Sequence, residues 1–167
     1  MDRCDECGFI YDLGTAESAG AAIVDGAGEL ATVLRDPPAN LRSRPEPQTW
    51  SPLEYGCHVR DVMLVQRERV LAARRMHRPT FQPMGRDERV DHDGYAEQDP
   101  GDVARQLTDA AQLFANVLAR LGQTDWERTV MYNYPKPFER SLRWVAVHTA
   151  HEVRHHLLDV RRQLPPG

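Results

Sequence analysis

Apolar residues recur at helical spacing in four long segments of this 167-residue chain, and prolines interrupt the chain between them. No convincing strand pattern competes. The first segment runs from about Ala16 to Leu34, with Thr15 in the N-cap place and a stripe of Ile23, Ala27, Leu30, Val33 and Leu34; Pro37 and Pro38 end it. The second opens on Trp50-Ser51-Pro52. Ser51 caps it, Pro52 suits the first helical position, and Glu54 completes a capping box; it continues to about Met76. The third spans about Gly101 to Leu121, with Gly122 as its expected C-terminal glycine, and the fourth spans about Glu139 to Gln163, closed by Pro165 and Pro166. Between them lie a long connector, Pro79 to Pro100, and an irregular segment, Trp126 to Phe138. The expectation is an all-α, single-domain four-helix bundle over residues 1–167 with long crossover loops, preceded by a leader over residues 1–14.

Composition narrows the function classes. Hydrophobic residues are 41% and charged residues 28% of the chain, as in an ordinary soluble domain. A net charge of -4 argues against a general nucleic-acid or membrane-surface binder. No run of apolar residues is long enough to span a bilayer. The start, Met1-Asp-Arg-Cys-Asp-Glu-Cys, is acidic and unlike a signal peptide, so a cytoplasmic location is expected. Of the 21 basic residues only Lys136 is a lysine, a bias typical of GC-rich genomes.

Chemistry concentrates in the last helix, where His148, His151, His155 and His156 fall within nine residues. His151 and His155 stand i, i+4, which puts two imidazoles on one face about a turn apart. Trp144, His148, His151, His155 and Leu158 form one stripe, so these rings lie in line with apolar residues and need partners. His58, early in the second helix, completes a candidate three-histidine metal site of His58, His151 and His155. Zinc is the first choice of metal, with nickel or iron also compatible. His148 or His156 in place of His155 stays open. Asp61 and Glu152 are candidates for orienting a ligand or acting as base. Arg140, Arg143 and Arg154 are candidates for holding a substrate carboxylate.

The three cysteines are Cys4, Cys7 and Cys57. Cys4-Asp-Glu-Cys7-Gly8 has the form of a metal knuckle, two thiolates around a tight turn, or of a redox pair. A structural zinc needs two further ligands, and Cys57, a histidine or another subunit is the available source. Extended, residues 8–15 span about 25 Å, so a leader thiolate can reach the histidine site.

Trp50-Ser-Pro-Leu-Glu-Tyr-Gly-Cys-His58-Val-Arg-Asp61-Val and His148-Thr-Ala-His151-Glu-Val-Arg-His155-His156-Leu-Leu-Asp159-Val resemble the DinB-like superfamily, which includes mycothiol-dependent maleylpyruvate isomerases and bacillithiol transferases. The resemblance implies a metal-binding four-helix bundle, often a homodimer, with His58, His151 and His155 at the family's histidine positions. It also implies a thiol S-transferase or isomerase acting on a small electrophile. The arginine-rich composition fits an actinobacterium, where mycothiol is the low-molecular-weight thiol. The Cys4–Cys7 leader departs from the general pattern. Two other readings accompany this one: a non-catalytic, stress-related metal-binding or scaffold protein, and an iron site using oxygen.

Overall fold

Ser51 starts the second long helix as its spacing predicts. Its side-chain oxygen accepts from the Glu54 N–H at 3.3 Å, while the Glu54 carboxylate accepts from the Ser51 N–H at 2.8 Å. The computed structural model describes residues 3–36, 40–133 and 136–165; Pro37, Pro38, Tyr134, Pro135 and Pro166 lie outside the described residues. In chain order the helices are α1 (Ala19–Arg35), α2 (Pro52–Arg75), α3 (Arg86–His92), α4 (Pro100–Leu118), α5 (Gln123–Trp126) and α6 (Leu142–Arg162). Three short strands accompany them: β1 (Thr80–Phe81), β2 (Thr129–Asn133) and β3 (Pro137–Ser141).

The four long helices, α1, α2, α4 and α6, make the bundle. α1 packs on α4 and α6, and α2 packs on the same two, so the order around the bundle is α1, α4, α2, α6. α1 and α2, consecutive in the chain, therefore sit on a diagonal. Ile23, Leu30, Leu53, Leu107, Phe114 and Val145 are fully buried between them. From Leu53 to Met63 every residue of α2 except Tyr55 is buried, polar ones included, so each polar side chain there must find a partner inside.

Several boundaries differ from the sequence expectation. α1 begins at Ala19, after a 3-10 turn over Leu13–Ser18 that Asp12, not Thr15, caps by accepting from the Gly14 N–H at 2.9 Å. Gly122 starts α5 with φ -79 rather than ending α4 in the left-handed region. The segment read as irregular holds the β2–β3 hairpin, in which Val130 pairs with Arg140, and β1 joins β2 in parallel to give the order β1-β2-β3. Only Val130 and Tyr132 point inward from β2, too short an alternation to stand out among prolines. β3 also delays α6 to Leu142, which Ser141 caps.

Glycines test the packing of α1. A Cβ on Gly26 would meet Val153 Cγ1 of α6 at 2.8 Å, whereas a Cβ on Gly28 would meet nothing within 4 Å. Val153 is β-branched and stiff, so it yields poorly. Gly28→Ala is expected to stabilise the protein by about 1 kcal/mol through helix propensity. Gly26→Ala is expected to destabilise it by about 1 kcal/mol, because overpacking outweighs the same gain. Urea unfolding of the two variants checks this, and equal stabilisation by both would contradict the close α1–α6 approach.

Candidate metal centre

α6 presents two stripes of ligating residues. Successive residues of a helix turn by about 100°, so His151 and His155 point to one side, Glu152 and His156 to the other, and His148 falls between the two pairs. The second stripe meets α2. There His58, 3% exposed, brings its Nε2 to 4.0 Å from Glu152 Oε2, and His156 Nε2 lies 3.6 Å from the same oxygen. The His58 and His156 rings meet edge to face with centroids 5.0 Å apart. The ligand atoms of His58, Glu152 and His156 all lie within 4.8 Å of one another.

The electrostatics of this trio suit a cation. Burial keeps His58 neutral, its pKa pushed down to about 3, and neutral imidazole is the ligating form. Its Nδ1 is buried with no hydrogen-bond partner. Burial also opposes charge on His156, but Asp159 and Glu152 outweigh it and push the pKa up to about 9. Carboxylates that favour a proton on that ring favour any cation there. Asp159 Oδ2 sits 3.0 Å from His156 Nδ1, which leaves Nε2 for a metal. Burial alone would raise the Glu152 carboxyl; hydrogen bonds from His151 and His156 overcome it and hold Glu152 well below the usual carboxylate range. An anionic carboxylate, a neutral imidazole with an orphaned nitrogen and a carboxylate-oriented second imidazole fit a divalent ion.

A cavity of about 300 Å³ opens on His58 and Glu152 of this trio. His58, Gln66, Arg69, Tyr132, His148 and Glu152 line one side, and the crossover residues 83–88 form the other. Arg69 donates to the Gln82 carbonyl at 2.7 Å and stacks on the Tyr132 ring at 4.8 Å. Gln66 donates to the Tyr132 hydroxyl at 2.9 Å.

Residues 26–160 match the DinB superfamily. The chain belongs to this superfamily. No curated protein matches it. Among solved structures it is similar to YfiT from Bacillus subtilis, described as a probable metal-dependent hydrolase with an unusual four-helix bundle topology. The TM-score is 0.79 at 12% identity, covering 96% of this chain and 91% of YfiT, so the likeness is one of fold.

Within this DinB fold the candidates sort differently from the sequence expectation. Among the described residues, no group of ligating atoms unites His58 with His151 and His155. His58 joins Glu152 and His156, and His151 and His155 join Cys4 and Cys7 of the leader; the two sets adjoin, since His151 also groups with His148 and Glu152, and His155 with His156 and Asp159. Glu152, read from the sequence as a ligand-orienting group or base, thus lies with His58 and His156. Asp61 belongs to neither group. It accepts from Tyr95 Oη at 2.7 Å, Arg60 at 2.8 Å and Arg89 at 3.0 Å, and so pins the long crossover to α2. Cys57 is buried 3.6 Å from Gln98 Oε1, and burial pushes its thiol up to about 12; it takes no part in the leader's knuckle. Of the arginine candidates, Arg140 stacks on Phe138 and Trp144, Arg143 pairs with Glu17 and Glu127, and Arg154 covers Phe9. None of the three lines the cavity; Arg69 does.

Asp61→Asn is expected to cost about 2–4 kcal/mol, because it leaves the buried Arg60 short of its carboxylate. Metal content should stay unchanged. Metal loss at unchanged stability, read by urea unfolding and elemental analysis, would instead place Asp61 at the centre.

Proposed function

We propose that this chain is a metal-dependent enzyme centred on His58, Glu152 and His156. In this reading it uses a low-molecular-weight thiol, mycothiol, for S-transfer to a small electrophile or for thiol-assisted isomerisation. The observation that carries the reading is the cavity lined by His58 and Glu152 of the trio. Two imidazoles and one carboxylate supply three ligands, the arrangement of catalytic rather than structural zinc sites. Nickel and iron also suit this donor set. A divalent ion bound there lowers the pKa of a thiol or a water entering from the cavity, which supplies a nucleophile at neutral pH.

The chain's own residues supply the rest. Arg69, immobilised by Gln82 and Tyr132, offers a fixed cation to a carboxylate or an enolate-like oxygen of the substrate. Burial holds His148 neutral, its pKa pushed down to about 4, so it lines the cavity as a hydrogen-bonding group without adding positive charge. The crossover over residues 83–88 narrows access for bulk water. The arginine bias and the superfamily resemblance support mycothiol as the thiol. A second reading takes water as the nucleophile, favoured by the hydrolase description of YfiT. A non-catalytic metal-binding or scaffold protein is the third; it has no need of an open cavity over the ligands.

The test uses protein purified without a histidine tag. Wild type is expected to form a mycothiol conjugate with 1-chloro-2,4-dinitrobenzene in a metal-dependent way. His58→Ala and Glu152→Gln should each lose one equivalent of metal and at least 100-fold in rate, about 2.7 kcal/mol or more. Ester cleavage without thiol would favour the hydrolase. Equal metal content and no turnover in wild type and both variants would defeat the enzymatic reading.

A further inference from the structure

The leader lies before residues 26–160, the stretch that matches the superfamily, and the trio makes no use of it. Cys4 and Cys7 sit on one tight loop. The Gly8 N–H donates to the Cys4 carbonyl at 2.9 Å, the Cys4 N–H donates to the Phe9 carbonyl at 2.8 Å, and Arg3 bridges Ile10. Gly8 takes φ +70, a conformation that a side chain resists, and this lets the loop close immediately after the second cysteine. The loop lies against the side of α6 that carries His151 and His155, next to the trio. There the sulfurs of Cys4 and Cys7 and one nitrogen each of His151 and His155 all fall within 4.8 Å of one another.

We infer that Cys4, Cys7, His151 and His155 form a second, structural zinc site that fastens the leader to α6. The donor set is C-x2-C with H-x3-H, two thiolates and two imidazoles, which suits tetrahedral zinc. A tetrahedral zinc spaces such ligands about 3.3–3.8 Å apart, and Cys4 Sγ is already 3.6 Å from His155 Nδ1. Both rings are oriented as ligands. His155 Nε2 faces Glu6 Oε2 at 3.3 Å and Asp159 Oδ2 at 3.5 Å, which leaves Nδ1 for the metal. His151 Nδ1 meets the Tyr11 hydroxyl at 2.9 Å, and its Nε2 is buried without a hydrogen-bond partner. That orphaned nitrogen is a group that an ion would satisfy.

The burial pattern gives the site a purpose. No side chain from Arg3 to Asp12 is buried; Phe9 and Tyr11 are only half-buried against the core. Ring contacts of Phe9 and Tyr11 and the Arg162 donation to the Glu6 carbonyl at 3.1 Å help to seat these ten residues, and metal coordination would add the strongest tie. Four protein ligands leave no open position, so the site fastens and does not catalyse. Its effect still reaches the cavity. Tyr11 bonds His148 Nδ1 at 3.0 Å as well as His151, and His148 lines the cavity wall.

The experiment is metal counting with a spectroscopic label on reduced, tag-free protein. Wild type loaded with zinc should hold two equivalents, and Cys7→Ser should hold one. With cobalt, wild type should show the intense thiolate-to-cobalt charge-transfer band. Cys7→Ser should lose most of it, while His58→Ala should keep it and lose the other equivalent. Circular dichroism on Cys7→Ser should show an intact bundle, and limited proteolysis should cut its leader several-fold faster. No charge-transfer band in reduced wild type, or two equivalents retained in Cys7→Ser, would overturn the site. A Cys4–Cys7 disulfide that reductant and zinc together fail to convert would overturn it too. Because His58→Ala reports on the trio and Cys7→Ser on the leader, failure of one does not imply failure of the other.

Discussion

Glu152 is the charge around which this end of the molecule is arranged. It is a mostly buried carboxylate, and an anion taken out of water must be met by donors or by a cation. Four imidazoles approach it: His151 Nδ1 at 3.3 Å, His156 Nε2 at 3.6 Å, His148 Nε2 at 3.9 Å and His58 Nε2 at 4.0 Å. Three come from its own helix and the fourth from α2. A single divalent ion between His58, Glu152 and His156 would satisfy the carboxylate and two of these rings at once. The bundle provides the setting, since α2 and α6 are neighbours in its order and both are long, capped helices that hold their side chains in fixed positions.

The long crossovers complete what the helices begin. The segment between α2 and α4 is held down by Asp61 through Tyr95 and Arg89, and by Arg69 through Gln82, so the cavity wall it provides is fixed to α2 at two places. The β2–β3 hairpin brings Tyr132 against Gln66 from another side. Buried polar side chains on α2 thus serve to anchor the irregular parts of the chain, which explains why this helix carries so many of them.

Much of the fold was legible before the structure. The Ser51–Glu54 capping box and Pro52 act through local physics and appear where the residues place them, and the four periodic segments form the long helices with ends shifted by a few residues. His58 was legible as well, because a histidine on the inner face of a helix needs a partner. The phase of α6 was harder. His151/His155 and Glu152/His156 are both i, i+4 pairs, and spacing alone does not say which stripe meets α2; packing of Val145, Val153 and Val160 against the core decides it. A signal was present all the same: Glu152 has a histidine four residues away on both sides, and Asp159 follows His156 by three. The Cys4–Cys7 knuckle was legible as two ligands in search of two more, but their meeting with His151 and His155 is a long-range contact that no local pattern encodes.

If this reading holds, α6 serves two adjoining metal centres. Anomalous diffraction at the zinc edge, from crystals of tag-free protein grown with zinc, tests it most directly. Two anomalous peaks are expected, one at bonding distance from His58, Glu152 and His156 and the other among Cys4, Cys7, His151 and His155. A single peak shared by His58, His151 and His155 would contradict it.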